Sequence, residues 1–133
     1  MIAIIVSKFN TDIVDGLYDG CIRALGDKIK VDKISVPGAF ELPSVAHQCV
    51  QSNKYKAVIT LGCVIKGDTD HYDYICQAVS NGIMNVALQS NIPVLFGVLT
   101  CQNAKLAFER SKDNKFNKGF EVGIAAKDLL NLN

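Results

Sequence analysis

A strand–turn–helix stretch decides the fold of this chain: Gly62-Cys-Val-Ile-Lys-Gly-Asp-Thr-Asp-His-Tyr-Asp-Tyr74. Its apolar residues end a predicted buried strand, Gly67 falls in the turn, and His71 falls in the first turn of the following helix. Backbone N–H groups at a helix N-terminus bind anions, and a histidine exchanges protons near neutral pH. Open α/β folds bind their ligands at such strand-to-helix corners. The stretch therefore predicts an α/β fold with a ligand site at this corner.

The rest of the chain alternates predicted strands and helices. The predicted elements are strand 1–6, helix 11–25, strand 31–36, helix 41–51, strand 57–65, a helix capped by Asp70 that ends before Asn91, strand 93–99, helix 103–111 and helix 118–130. The third strand is apolar at consecutive positions, which is typical of a strand covered on both faces. This order predicts a four-stranded parallel sheet flanked by helices on both faces, a three-layer α/β/α fold.

Composition excludes several classes of function. A chain of 133 residues predicts a single domain over residues 1–133. Because 14 Lys and Arg balance 13 Asp and Glu, no net field favours nucleic acid or a membrane surface. The longest apolar runs are too short to cross a bilayer. The five scattered cysteines indicate neither a disulfide framework nor a metal site, so we expect a cytoplasmic protein with reduced thiols.

The four predicted strands are each followed by residues suited to a small-molecule site. Strand ends of a parallel sheet lie on one edge, so these residues converge. They are Phe9-Asn10, Pro37-Gly-Ala-Phe-Glu41, Gly67-Asp-Thr-Asp-His71, and Phe96-Gly97 with Thr100. An aromatic ring, a carboxylate, an anion-binding turn and a histidine on one edge predict a binding or catalytic site.

Each of these residues also has a purely structural interpretation. Phe9 could plug the end of the sheet, and Glu41 stabilises a helix N-terminus whatever it binds. A histidine in a first helical turn, such as His71, is more often solvated than catalytic. Arg110 could cap a helix C-terminus, or it could pair with a phosphate together with Lys118.

Taken together, the motifs make the chain resemble the 6,7-dimethyl-8-ribityllumazine synthase family. They are Ser7-Lys-Phe-Asn10, Val36-Pro-Gly-Ala-Phe-Glu-Leu-Pro43, Leu61-Gly-Cys-Val-Ile-Lys-Gly-Asp-Thr-Asp-His-Tyr-Asp-Tyr74, Phe96-Gly-Val-Leu-Thr100, Ala107-Phe-Glu-Arg110 and Asn117-Lys-Gly119. The resemblance implies a flavodoxin-like fold. It also implies condensation of 5-amino-6-(D-ribitylamino)uracil with 3,4-dihydroxy-2-butanone 4-phosphate. The products are 6,7-dimethyl-8-ribityllumazine, phosphate and water, in the penultimate step of riboflavin biosynthesis, without a metal or cofactor.

The resemblance further implies a role for each motif residue. His71 would transfer protons. The residues implied for the pyrimidine ring and its ribityl chain are Phe9, Ala39, Phe40, Glu41, Cys63, Val64, Ile65 and Phe96. The residues implied for the phosphate are Asp68, Thr69, Arg110 and Lys118.

The family's site is assembled between adjacent subunits of a homopentameric ring, and some relatives pack twelve rings into a sixty-subunit shell. Because Met1 lies almost at the first strand, we expect the chain to lack the N-terminal strand that many relatives lend to a neighbour. We therefore expect a pentamer, with a sixty-subunit shell as the alternative. Two further hypotheses remain: a non-catalytic flavodoxin-like module for a phosphorylated or flavin-type ligand, and a structural ring or cage subunit.

Overall fold

The computed structural model describes residues 1–67 and 71–131. The strands are β1 (Ile2–Ser7), β2 (Val31–Val36), β3 (Ala57–Ile65) and β4 (Val94–Cys101). The helices are α1 (Thr11–Leu25), α2 (Leu42–Gln51), α3 (His71–Gln89), α4 (Ala104–Glu109) and α5 (Lys118–Leu129), with a 3₁₀ turn at Ala39–Glu41. The predicted order of strands and helices is confirmed. The prediction that Asp70 caps α3 lies outside the described residues, and none of the described helices is long and apolar enough to cross a membrane.

The four strands form one parallel sheet in the order β2-β1-β3-β4. Alternate residues of each strand enter two separate apolar cores. Ile4 and Ile59 pack on the face covered by α1, α4 and α5. Ile5 and Val58 pack on the face covered by α2 and α3. Both faces are therefore buried, which explains the consecutive apolar residues and confirms the three-layer, flavodoxin-like α/β/α fold.

Several predicted boundaries differ from the structure: β1 begins and ends one residue later than predicted, β4 begins one residue later, α4 is shorter than 103–111, and α5 ends at Leu129. Two further differences have an identifiable cause. The helix predicted over 41–51 begins as an α-helix only at Leu42, because the Glu41 carboxylate accepts a hydrogen bond from the Gly38 N–H (2.9 Å) and tightens the preceding turn. The strand predicted to end at residue 99 continues to Cys101. It does so because Cys101 is paired with Ile65, and its carbonyl accepts the Lys66 N–H at 2.9 Å.

Candidate active site

The ends of β1 and β3 border a cleft of about 370 Å³, which we name the inner cleft. Four separated segments form it: the loop after β1, the 3₁₀ turn after β2, the end of β3 and the start of α3. Its lining residues are Phe9, Asn10, Gly38, Ala39, Phe40, Cys63, Val64, Ile65, His71 and Ile75. The parallel sheet brings these segments to one edge, as predicted. It thus gathers seven of the predicted site residues, from Phe9 to His71.

Two phenylalanines line the inner cleft with most of their surface open to solvent. Phe9 is 72% exposed and Phe40 is 58% exposed. Such exposure does not fit the interpretation of Phe9 as a plug over the sheet. Large exposed aromatic surfaces beside a cleft are typical of ligand-binding sites, and a flat ring can stack against them.

Asn10 connects the loop after β1 to β3. Its backbone is left-handed (φ 58°), a conformation that asparagine tolerates better than most residues. Its side-chain amide donates a hydrogen bond to the Cys63 carbonyl at 3.1 Å and does not cap α1. Asn10 therefore fixes Phe9 relative to the end of β3. The sequence placed Asn10 beside Phe9 at the strand end but assigned it no role, and the hydrogen bond to Cys63 supplies one.

Glu41 lies behind the lining of the inner cleft and does not form part of it. One oxygen of its half-buried carboxylate accepts the Gly38 N–H. Gly38 and Ala39 do line the cleft. In this structure Glu41 therefore holds the backbone that forms one wall.

Cys63 lines the inner cleft as a neutral thiol. The residue is 2% exposed. Burial, with a smaller contribution from Cys101, raises the pKa of the Cys63 thiol to about 12. Because the thiolate is the nucleophilic form of cysteine, Cys63 is poorly suited to covalent catalysis at neutral pH.

His71 is the first residue of α3, and its side chain is exposed and lines the inner cleft. It therefore lies beside the aromatic and backbone groups of the cleft, where it could exchange protons with a ligand. The predicted phosphate-binding residues Asp68 and Thr69 lie outside the described residues.

A second cleft, of about 430 Å³, runs along β4, the outer strand of the sheet; we name it the edge cleft. Its lining residues are Phe96, Val98, Leu99, Thr100, Cys101, Gln102, Leu106, Arg110 and Lys118. The structure thus separates Phe96, Arg110 and Lys118 from the inner cleft. The separation follows from the strand order, because the inner cleft lies at the ends of the central strands β1 and β3, whereas the edge cleft lies along β4. Arg110 and Lys118 lie at the ends of helices on the face opposite α3, and Phe96 packs on the same face as α3.

Two cations give the edge cleft its chemical character. Burial raises the pKa of the Cys101 thiol, and the positive charge of Arg110 partly offsets this rise, so the guanidinium lies near Cys101. The Lys118 ammonium lies 3.5 Å from a Glu121 carboxylate oxygen. The backbone N–H of Lys118 donates a hydrogen bond to the backbone carbonyl of Arg110 at 2.8 Å, so the two basic residues are joined through their backbones. The edge cleft therefore suits an anion.

The described residues offer no obvious metal site. Within 1–67 and 71–131, no three His, Cys, Asp or Glu side chains lie close enough together to hold a metal ion. The chemistry that these residues support is ring stacking, backbone hydrogen bonding, anion binding and proton transfer.

Comparison with known protein families agrees with this chemistry. The model of the 6,7-dimethyl-8-ribityllumazine synthase family matches residues 1–133, the whole chain. The match confirms the resemblance drawn from the six motifs, which contribute residues to both clefts. The chain therefore belongs to the 6,7-dimethyl-8-ribityllumazine synthase family of transferases, which act in riboflavin biosynthesis.

Proposed function

We propose that the chain condenses 5-amino-6-(D-ribitylamino)uracil with 3,4-dihydroxy-2-butanone 4-phosphate. The products are 6,7-dimethyl-8-ribityllumazine, inorganic phosphate and water. Family membership supports the reaction, and the inner cleft supports the assignment of residues. Its volume of about 370 Å³ lies in the range of small-molecule sites.

The observation that carries the proposal is the composition of the inner cleft. Phe9 and Phe40 offer exposed aromatic surface to the pyrimidine ring and the ribityl chain. The backbone at Cys63, Val64 and Ile65 offers hydrogen-bonding groups to the edge of the heterocycle. Ala39 lines the ribityl side of the cleft, and Glu41 supports that wall through Gly38.

His71 is the proposed proton-transfer residue. The amine of the pyrimidine attacks the ketone, and loss of water gives an imine. Phosphate is then eliminated, and ring closure releases a second water. Each step moves protons between nitrogen, carbon and oxygen atoms, and a histidine beside the bound ring can give and take them. Orientation of the two substrates supplies much of the remaining acceleration.

The phosphate of the second substrate is assigned to Arg110 and Lys118, together with Asp68 and Thr69. Arg110 and Lys118 line the edge cleft, whereas His71 lines the inner cleft. We propose that the edge cleft of a neighbouring copy faces the inner cleft and that Phe96 of that copy closes the ring pocket. A head-to-tail contact of this kind closes into a ring, and the ring is proposed to be a pentamer.

The test is to supply purified protein with both substrates and to record lumazine fluorescence and phosphate release together. The proposal predicts that both signals rise in equal amounts and that both need both substrates. Binding of the pyrimidine without either product would instead indicate a non-catalytic binding module. Absence of both binding and product would indicate a structural subunit.

A further inference from the structure

The two basic residues of the edge cleft are held by one short loop, residues 110–118. The Lys118 N–H donates to the Arg110 carbonyl at 2.8 Å, so the ends of the loop are in direct contact. Arg110 follows α4 and Lys118 begins α5. The separation and direction of the two cations therefore depend on how this loop is attached to the rest of the chain.

Asn117 attaches the loop through its side chain, although it lines neither cleft. The residue is 1% exposed. Its amide nitrogen donates to the Lys112 carbonyl at 2.8 Å within the loop and to the Gly16 carbonyl at 3.1 Å on α1. Its side-chain oxygen accepts the Phe120 N–H at 2.9 Å and so caps α5. One buried side chain thus joins the loop, α1 and α5.

Helix α1 carries glycines where the loop approaches it. A methyl group at Gly20 would lie 2.2 Å from the Asn117 side-chain oxygen, and one at Gly16 would lie 2.2 Å from the Ser111 carbonyl oxygen. Glycine inside a helix is destabilising relative to alanine. At these two positions it makes room for Asn117 and Ser111, so the loop can lie directly on α1.

We propose that Asn117 is a positioning residue for phosphate binding by Arg110 and Lys118. This inference rests on the proposed function and adds a residue that touches neither substrate. Loss of the two hydrogen bonds donated by its amide removes the hydrogen bond from the loop to α1 and leaves the solvent-exposed ion pair between Arg23 and Asp113 (3.2 Å). The two cations then no longer converge on one anion, although α5 can still form.

The experiment uses the full-length Asn117→Ser variant, because serine retains a cap for α5 but lacks the amide donors. The KM for 3,4-dihydroxy-2-butanone 4-phosphate should rise about tenfold, while the KM for the pyrimidine should change less than about twofold. The dissociation constant of inorganic phosphate, measured by calorimetry, should rise by a similar factor. Gly20→Ala on α1 should also raise the KM for the phosphate substrate and the dissociation constant of phosphate, because its methyl group displaces the Asn117 amide.

Ala126→Gly is the matched control, since Ala126 is fully buried on α5 but lies two turns beyond Lys118. It should lower Tm without changing either KM or the affinity for phosphate. The inference would be overturned if Asn117→Ser and Ala126→Gly, at a similar loss of Tm, weakened phosphate binding equally. It would also be overturned if the wild-type protein bound no phosphate. Failure of the wild type to form lumazine would contradict the proposed function, whereas unchanged phosphate affinity in both Asn117→Ser and Gly20→Ala would contradict only the role of Asn117.

Discussion

The inner cleft and the edge cleft are built from different kinds of side chain. The inner cleft combines two exposed aromatic rings and His71, and no Lys, Arg, Asp or Glu is among its described lining residues. The described lining of the edge cleft includes Arg110 and Lys118 and no carboxylate. The first suits a flat, uncharged ring, and the second suits a phosphate.

Under the proposed function, each chain holds two unlike halves of a site. Of the described residues, none lines both clefts. Helices α3 and α5, which carry His71 and Lys118, pack on opposite faces of the sheet. A reaction that joins a ring to a phosphate ester needs both halves in one place. Each half should therefore respond to mutation with its own kinetic signature.

The largest effect is expected in the edge cleft. Arg110→Ala should lower kcat/KM by up to about 10³-fold, because it removes a charged group that binds the phosphate as it leaves. The KM for the phosphate substrate should rise more than the KM for the pyrimidine in steady-state assays. Lys115→Ala is the control, since it removes a cation from the same loop but from outside the edge cleft. If Arg110→Ala weakened only pyrimidine binding, the edge cleft would not be the phosphate site.

The next effect is expected at His71. His71→Ala should lower kcat by about 10²-fold, because general acid–base help is lost while substrate orientation is retained. Pyrimidine affinity, measured by calorimetry, should stay near the wild-type value. His47→Ala serves as the control because His47 is exposed on α2, away from both clefts. Complete loss of turnover with intact folding and ligand binding would show that His71 does more than move protons.

A smaller effect is expected from the exposed ring of the inner cleft. Phe9→Ala should raise the KM for the pyrimidine about tenfold, as expected when stacking on a base is removed. Phosphate affinity should not change, since Phe9 does not line the edge cleft. Phe116→Ala removes a ring of comparable exposure, 62%, that lines neither cleft, and it should leave both constants unchanged. An equal response to Phe9→Ala and Phe116→Ala would count against a stacking role.

The smallest effect is expected at Cys63. Because its pKa is raised from 9.0 to about 12 in the folded chain, its contribution to stability is complete below pH 9 and is lost as the pH rises towards 12. Within that range the unfolding free energy of the wild type should fall by up to about 1.4 kcal/mol per pH unit more than that of Cys63→Ala. Urea unfolding at pH 8 and pH 10.5, at one protein concentration, measures the difference. If the unfolding free energies of the two proteins changed with pH in parallel, Cys63 would be ionised in the folded chain. The kcat at pH 7.5 should differ less than about threefold between the wild type and Cys63→Ala.

Local pattern predicted much of the fold. The bounds of α1, β2 and β3 follow from apolar spacing and were predicted without error. Two of the errors occur where one specific contact decides the structure. β4 is longer than predicted because β3 pairs with its last residues. The 3₁₀ turn before α2 depends on one side-chain hydrogen bond between Glu41 and Gly38.

The site was predicted less completely than the fold, for the same reason. Its seven residues in the inner cleft stand at strand ends, so topology alone brings them together. Asn10 acts on Cys63 across 53 positions of sequence, and Asn117 acts on Gly16 across 101. No local pattern encodes such contacts. The separation of the inner and edge clefts likewise depends on the order of the strands in the sheet.

The proposed complete site combines the inner cleft of one chain with the edge cleft of another. To test this, Arg110→Ala and His71→Ala chains are unfolded together in equal amounts and refolded, and lumazine formation per chain is measured. If subunits mix at random in a ring, about a quarter of the interfaces combine an intact inner cleft with an intact edge cleft. We therefore expect recovery to about a quarter of wild-type activity. Activity that stays at the average of the two separate variants would contradict it.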